Sequence, residues 1–500
     1  MPTARVRRRI VVIGAGMGGL SAAIDLARRG AAVTLLERAS TPGGKMRRVS
    51  VGDVGIDGGP TVFTMRWVFE GLLRDAGARL EDVLELRPVD ILARHAWRDG
   101  GRLDLHADVE RSAAAIAEFA GAGEAEGYRR FCARSRQIYQ TLERPFIDGQ
   151  RPSAFELTRR IGLGRIDELL GMRPWQRMWP AIGGFFRDPR LQQLFGRYAT
   201  YCGSSPLSAP ATLMLVAHVE QEGVWRVRGG MHEVARALAG VAEERGAEIR
   251  YGAHVAEIIV TSGRAAGVVL VNGERIDADA VVFNGDCGAL AAGCLGPSVA
   301  TAVPVTKRAV RSLSAITWCV QAKTRGFPLV HHNVFFAGDY PREFEAIFGR
   351  RSVAEAPTVY VCAQDRAGDE VIDRPERLLV LVNAPADGDV APISRQALAD
   401  IDRRTFDLMS RCGLEVERGS GEVVTDPSGF DELFPATGGA LYGRATHGPF
   451  ATFSRPGSRS RVPGLYLAGG SVHPGPGVPM AALSGRRAAE SVAQDLELPP

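Results

Sequence analysis

Lysine is nearly missing from this 500-residue chain, occurring only at Lys45, Lys307 and Lys323. Arginine supplies the rest of the 61 basic groups, and 57 acidic groups leave a net charge of +4. So small a balance, without a run of like charges, argues against a nucleic-acid partner. Cysteine is sparse too: seven residues, an odd number, and no CxxC pair. That excludes a disulfide scaffold and a thiolate zinc site, and fits a reducing compartment. The nine histidines show no HExxH or other ligand spacing, so no metal is expected. No window reaches the ~18 uncharged apolar residues of a spanning helix. Arg5, Arg7, Arg8 and Arg9 ahead of the apolar stretch 10–20 imitate an export signal. Four glycines inside that stretch sit at the spacing of a phosphate loop, which a signal core does not need. A cytoplasmic protein is the expectation.

What is present reads as a large soluble enzyme. At this length one core no longer suffices, so two or more domains around a cleft are expected. Residues 10–13 are a β-branched run suited to a buried parallel strand. Gly14-Ala15-Gly16-Met17-Gly18-Gly19 follows as a turn, and Leu20, Ala23, Ile24 and Ala27 recur at helical spacing. Gly30 is placed to stop that helix. A second strand over 32–36 ends at Glu37. In such a unit the first glycine permits the turn, the second lets backbone N–H groups approach a pyrophosphate, and the third lets helix and strand pack. Glu37, 18 residues after Gly19, stands where a carboxylate accepts bonds from a ribose diol and repels a 2′-phosphate. The reading so far is a dinucleotide site that disfavours NADP.

The nucleotide pattern recurs. Residues 231–245 form an amphipathic helix closing at Gly246, followed by short strands at 248–251, 254–260, 267–271 and 278–284. Ser262-Gly263 and Asn272-Gly273 mark hairpin turns. A last strand at 464–468 and a helix at 479–496 close the chain. Residues 109–222 read as helices, with candidates at 131–146 and 190–198, and 300–450 as alternating strands and helices. The expected fold class is α/β: a discontinuous Rossmann-like domain (1–75, 224–290 and 456–500) with an inserted substrate domain. That insertion comprises a mixed-sheet part (76–140 and 291–455) and a helical part (141–223).

Leu36-Glu37-Arg38 with Gly43-Gly44-Lys45 resembles the FAD-binding signature of glutathione-reductase-like and amine-oxidase-like flavoproteins. Asp57-Gly58-Gly59-Pro60-Thr61 resembles a turn that carotenoid desaturases pass close to the flavin. The run from Gly464 to Met480, with Gly469-Gly470-Ser471-Val472-His473-Pro474-Gly475-Pro476-Gly477-Val478-Pro479-Met480, resembles their C-terminal block. Gly223-Val224-Trp225-Arg226-Val227-Arg228-Gly229-Gly230 is similar to their middle turn. The resemblance spans residues 8 to about 490 and is to bacterial carotenoid desaturases of the phytoene desaturase type. Within that family, Tyr201-Cys202-Gly203-Ser204-Ser205-Pro206 with Ala209-Pro210-Ala211-Thr212, and Gly438-Gly439-Ala440-Leu441-Tyr442-Gly443, look like the methoxyneurosporene dehydrogenase branch.

The resemblance implies FAD bound by Gly14, Ala15, Gly16, Gly18, Gly19, Glu37, Arg38, Gly44, Lys45, Met46, Gly59, Pro60 and Thr61. Val255 would meet the adenine, and Gly469, Gly470, Gly477, Val478, Pro479 and Met480 the flavin half. It also implies 3,4-dehydrogenation of a 1-hydroxy- or 1-methoxycarotenoid, with electrons passing to oxygen or a quinone. A phytoene-type desaturase, a carotenoid isomerase, an amine oxidase and a non-redox prenyl-protein binder stand as alternatives. The flavin carries the redox step, so no catalytic triad is expected. His218 and Glu220, then His331 and His332, are the weak candidates for a proton acceptor. A water-insoluble substrate implies a peripheral position on the inner membrane, and the segment 169–186, with Trp175, Trp179 and nearby arginines, is the expected docking surface.

Overall fold

Arg9–Ile13 forms the central strand, β1, whose Val11 and Val12 are buried on both faces, and that explains the absence of polar alternation. A computed structural model describes residues 7–162, 171, 173, 175–304, 310–368, 372–449 and 451–499. The central sheet is parallel throughout, in the order Leu465–Leu467, Ala280–Phe283, β1, Ala32–Glu37 (β2), Glu248–Tyr251. Three stretches that are far apart in sequence thus meet in one sheet.

Met17–Arg28 (α1) crosses one face, with every residue but Arg28 buried. Leu20, Ile24 and Leu26 are fully enclosed, each worth ~1.5–3 kcal/mol of apolar burial. The C-terminal helix Val478–Asp495 packs against α1 at glycine: a Cβ on Gly485 would overlap the Gly18 carbonyl oxygen. Between the two helices Asp25 is buried but paired, with Arg28 at 2.7 Å and Arg486 at 3.1 Å. The helix His232–Glu244 joins the same core. The meander Val255–Thr261, Arg264–Leu270, Arg275–Asp277 belongs to a second core cluster, one that also holds Val11, Leu36 and Val281. Its first turn is Ser262-Gly263, both residues at positive φ (51° and 75°), as the hairpin motif requires.

Residues 300–450 alternate strands with helices, as expected of them. They build most of one seven-stranded sheet, ordered Leu414–Thr425, Ser314–Gly326, Glu376–Ala384, Val359–Ala363, His332–Phe336, Ile91–Trp97, Arg102–His106. Neighbours are antiparallel except His332–Phe336 beside Ile91–Trp97. Ser314–Gly326 opens with seven consecutive buried residues, so the period-2 signal is erased where both faces are covered. The helix expected at 131–146 begins earlier, as Ala122–Leu142, and loosens into a wider turn over Glu143–Ile147, where Pro145 has no N–H to give. The helical region packs around Phe131, Phe186 and Phe195, the last two stacked at 4.5 Å. Among the described residues no helix is long and apolar enough to cross a membrane.

Candidate active site

One cavity of about 920 Å³ runs from the ends of the parallel strands to the face of the seven-stranded sheet. Its first wall is the glycine loop. Gly14 takes φ +95°, and its N–H donates to the Leu36 carbonyl at 2.8 Å, which fixes the turn between β1 and β2. A Cβ on Gly16 would lie 2.8 Å from Asn284 Nδ2, and one on Gly18 would lie 2.6 Å from Asn284 Oδ1 and 2.7 Å from the Gly469 nitrogen. Asn284 holds the loop from the far side by donating to the Gly14 carbonyl at 3.1 Å.

Glu37 closes this end. It is 7% exposed; Oε2 accepts the Ala15 N–H at 2.7 Å and Oε1 the Ala39 N–H at 2.8 Å. Each oxygen keeps a lone pair, and the carboxylate lines the cavity. Gly43 donates to the Ala15 carbonyl at 2.9 Å, which lays the Gly43-Gly44-Lys45 turn along the loop. A Cβ on Gly59 would overlap the Lys45 carbonyl oxygen, so the Asp57–Thr61 turn presses on the same place. Asp57 itself accepts the Met231 N–H at 2.6 Å and thereby caps the helix His232–Glu244 from another part of the chain. Burial raises its pKa, against the opposing pull of the Met231 and His232 N–H bonds.

Lys45 is an amine held among carbonyls, donating to Leu441 at 2.7 Å and Ala440 at 3.3 Å above the Phe434 ring. Burial lowers its pKa; Asp286 opposes this and Arg455 adds to it. Arg455, 2% exposed, donates to the carbonyls of Gly470 (3.0 Å), Tyr442 (3.2 Å) and Arg444 (2.7 Å), and so pins the start of the C-terminal block. His473 in that block shares a hydrogen bond with the Gly149 carbonyl at 3.1 Å; burial pushes its pKa down to about 4.

Of the residues expected to hold a cofactor, Gly14, Gly16, Gly18, Glu37, Arg38, Gly44, Lys45, Met46, Gly59, Pro60, Thr61, Val255, Gly469, Gly470, Gly477, Val478, Pro479 and Met480 line this cavity. Ala15 and Gly19 do not. The Ala15 N–H is taken by Glu37, and Gly19 packs against the Gly14 carbonyl, where a Cβ would overlap the oxygen. Arg38 grips the carbonyls of Glu432 and Leu433. Two helices open on the cavity without a capping side chain or an acidic first turn: α1 behind Gly16, and Val478–Asp495 behind Gly477. Their unpaired N–H groups suit an anionic ligand. The uncapped helix ends, the cradle that no Cβ fits, and the acid at Glu37 match a dinucleotide cofactor with two unphosphorylated ribose hydroxyls.

The remainder of the cavity is mainly apolar, with walls such as Leu142, Phe146, Leu213, Val216, Val219 and Leu381. One region is polar. Tyr198 donates to Glu220 Oε2 at 2.7 Å, and burial raises the Glu220 pKa. Arg197 donates to Tyr201 at 3.2 Å; the Tyr360 hydroxyl lies 2.7 Å from both Thr61 Oγ1 and His332 Nδ1. Of the proton-acceptor candidates, Glu220 and His332 reach this cavity. His218 sits behind it, 3.4 Å from Glu222 and edge-on to Tyr139. His331 lines a separate cleft of about 200 Å³ beside Arg226. The ligand atoms of His331, His332 and Cys362 lie within 4.8 Å of one another, but Arg226 beside the two histidines repels a cation as well as a proton. Sequence reasoning missed Asn284, Arg455, Arg197 and Tyr360. Asn284 carried a signal, an amide next after a strand that ends beside the glycine loop; the others carried none.

Of the segment 169–186, residues 169, 170, 172 and 174 lie outside the described residues. Trp175 is 60% exposed, whereas Met178 and Phe186 are core and Trp179 is half-buried.

The model of the flavin-containing amine oxidoreductase family matches residues 17–493. A hydroxyneurosporene desaturase of Rubrivivax gelatinosus is 54% identical over 98% of this chain and 94% of its own. One of Cereibacter sphaeroides is 47% identical over 98% of both. A 1-hydroxycarotenoid 3,4-desaturase of a Flavobacterium is 29% identical over 97% and 99%. Among solved structures, a putrescine oxidase superposes with a TM-score of 0.61 at 15% identity, over 98% and 99% of the two chains. It shares the fold.

Proposed function

The chain belongs to the bacterial carotenoid desaturases within the flavin-containing amine oxidoreductase family, and from that premise we propose that it desaturates the 3,4-bond of an acyclic carotenoid that carries a hydroxyl or methoxy group on C1. It is an oxidoreductase, and its cofactor is FAD. In this reading Gly14, Gly16 and Gly18 receive the pyrophosphate with the N-terminus of α1, and Glu37 accepts the ribose hydroxyls. Val255 faces the adenine, and Gly44–Met46, Gly59–Thr61 and Gly469–Met480 enclose the flavin half. When bound, FAD would supply the two-electron acceptor that desaturation of a saturated carbon–carbon bond needs.

The chain's own part is placement. The apolar walls exclude water and hold a rigid polyene in one orientation. Lys45 and Arg455 put positive charge at the junction of the cradle with the rest of the cavity. Glu220 and His332 alone of the titratable candidates are placed to receive a proton within it. The observation that carries the reading is that a glycine cradle and a long apolar space form one cavity. Entry is from a membrane surface, with the chain on the cytoplasmic side and oxygen or a quinone as the final acceptor. Ala154, Leu157 and Thr158 of the helix Ala154–Ile161 line the cavity while Phe155, 82% exposed, and Arg159 face outward; Arg160 turns back to the Pro145 and Gln150 carbonyls and Glu156. Aromatic and arginine side chains on such an element suit a headgroup layer.

The test gives purified flavoprotein, in detergent, a 1-hydroxylated acyclic carotenoid and phytoene in separate reactions. A red shift of the visible spectrum with the hydroxylated substrate is expected. No shift with either, or an altered cis/trans pattern at unchanged chromophore length, would refute the reading.

A further inference from the structure

Two polar groups in the apolar part of the cavity, Arg197 and Tyr340, are short of partners, and a third, Tyr360, keeps room for one more. Arg197, on the turn Arg197–Cys202, has five N–H donors and one hydrogen bond among the described residues, to Tyr201 at 3.2 Å. No described carboxylate pairs with it; its guanidinium lies 5.3 and 5.4 Å from the ring centroids of Tyr201 and Tyr360. Tyr340 lines the same space, is 2% exposed, and its hydroxyl has no hydrogen-bond partner. It is close to Arg197, because its ring lies 3.6 Å from where a Cβ on Gly196 would stand. The Tyr360 oxygen, between Thr61 Oγ1 and His332 Nδ1, keeps one lone pair. Buried donors without acceptors cost about 1–3 kcal/mol each, so a cavity meant for hydrocarbon alone gains nothing from them.

The position narrows what they meet. Tyr360 is hydrogen-bonded to Thr61, which belongs to the turn that presses on Lys45 in the glycine-rich cradle. The polar groups therefore adjoin the cofactor wall and not the outer mouth. In a 1-oxygenated carotenoid desaturated at 3,4, the oxygen is three bonds from C3 and four from C4. An oxygen that close to the reacting bond must be received beside the redox centre.

We infer that Arg197 and Tyr360 form a subsite for the oxygen atom on C1 of the substrate, with Arg197 as its main donor. The subsite selects an oxygenated end group over a hydrocarbon one, and it fixes the register of the polyene so that C3 and C4 reach the flavin. An alcohol and a methyl ether both accept from Arg197; only the alcohol can also donate to Tyr360. This rests on the function proposed above.

The test compares Arg197→Met and Tyr360→Phe with the unaltered holoenzyme, measuring kcat/KM on 1-hydroxyneurosporene and on neurosporene. The quantity read is the ratio of the two. Loss of one charged donor predicts a fall of at least about tenfold for Arg197→Met and a smaller fall for Tyr360→Phe. Flavin content and Tm report folding, and the milder Tyr360→Phe decides if Arg197→Met is not recovered folded. A ratio unchanged in folded, flavin-loaded variants overturns the subsite and leaves the desaturase reading intact. If the unaltered enzyme converts neither carotenoid, that reading falls and the subsite with it.

Discussion

Exchanging Glu37 for glutamine replaces one oxygen by an NH2 of nearly the same size, which isolates the role of its charge. In the folded protein both carboxylate oxygens accept backbone N–H groups, Ala15 at 2.7 Å and Ala39 at 2.8 Å. Glutamine can accept one of these and must point its own N–H groups at the other. One charge-assisted bond is lost, about 1.5–3 kcal/mol, and a buried N–H is left unmet. Because Ala15 belongs to the glycine loop, part of the loss is expected in the apoprotein as a lower Tm. The ribose hydroxyls lose an anionic acceptor as well, and the same energy range lowers FAD affinity by about 10–150-fold. The assay strips the flavin and titrates it back while following quenching of flavin fluorescence, with FMN in parallel. FMN has no adenosine, so its affinity is expected to change only by what the loop loses. An FAD Kd within about threefold of the unaltered protein would refute the ribose role. An equal loss for FMN and FAD would assign the effect to the loop instead.

Gly18→Ala sets a methyl group 2.6 Å from Asn284 Oδ1 and 2.7 Å from the Gly469 nitrogen, so flavin content after purification is expected to fall severely while far-UV circular dichroism stays near normal. Full flavin loading would contradict the cradle. Burial lowers the folded-state pKa of His473 to about 4 from an unfolded value near 6.5, so the neutral ring is the form the fold favours. Its stabilisation is complete above pH 6.5 and is lost as pH falls toward 4, an upper limit of ~3 kcal/mol. Tm of His473→Gln is expected to drop less than that of the unaltered protein between pH 7 and pH 4; parallel curves would count against this. Phe155→Ser with Trp175→Ser is expected to weaken co-sedimentation with anionic vesicles several-fold at unchanged flavin content, and equal sedimentation would remove these two side chains from the membrane contact.

Local backbone demands were legible in the residues themselves. The order Gly14, Gly16, Gly19, then Glu37, stated a turn, a helix start and an acid at a strand end, because each depends on neighbours a few bonds away. The paired Ser262-Gly263 stated its hairpin for the same reason. A mixed sheet over 76–140 and 291–455 was legible, but its individual strands were not: Ser314–Gly326 is covered on both faces, and burial removes the alternation that marks a strand. The convergence of 9–37, 248–283 and 465–467 in one sheet was legible, because the nucleotide pattern opens the chain, recurs near its middle and returns at its end.

The amino-acid order by itself determined that a dinucleotide is held, since glycine is the residue whose missing side chain leaves room there. Only the tertiary structure decided what lies across from it. Arg197 comes from a turn well over a hundred residues ahead of the helix start that carries Tyr340 and the strand that carries Tyr360, and nothing in their local sequence differs from that of ordinary core or surface groups. The shortage of partners at Arg197 and Tyr340 exists only once the inserted chain has folded over the cradle, because a hydrogen bond left unmade in a buried place is a property of the enclosure and not of the residue.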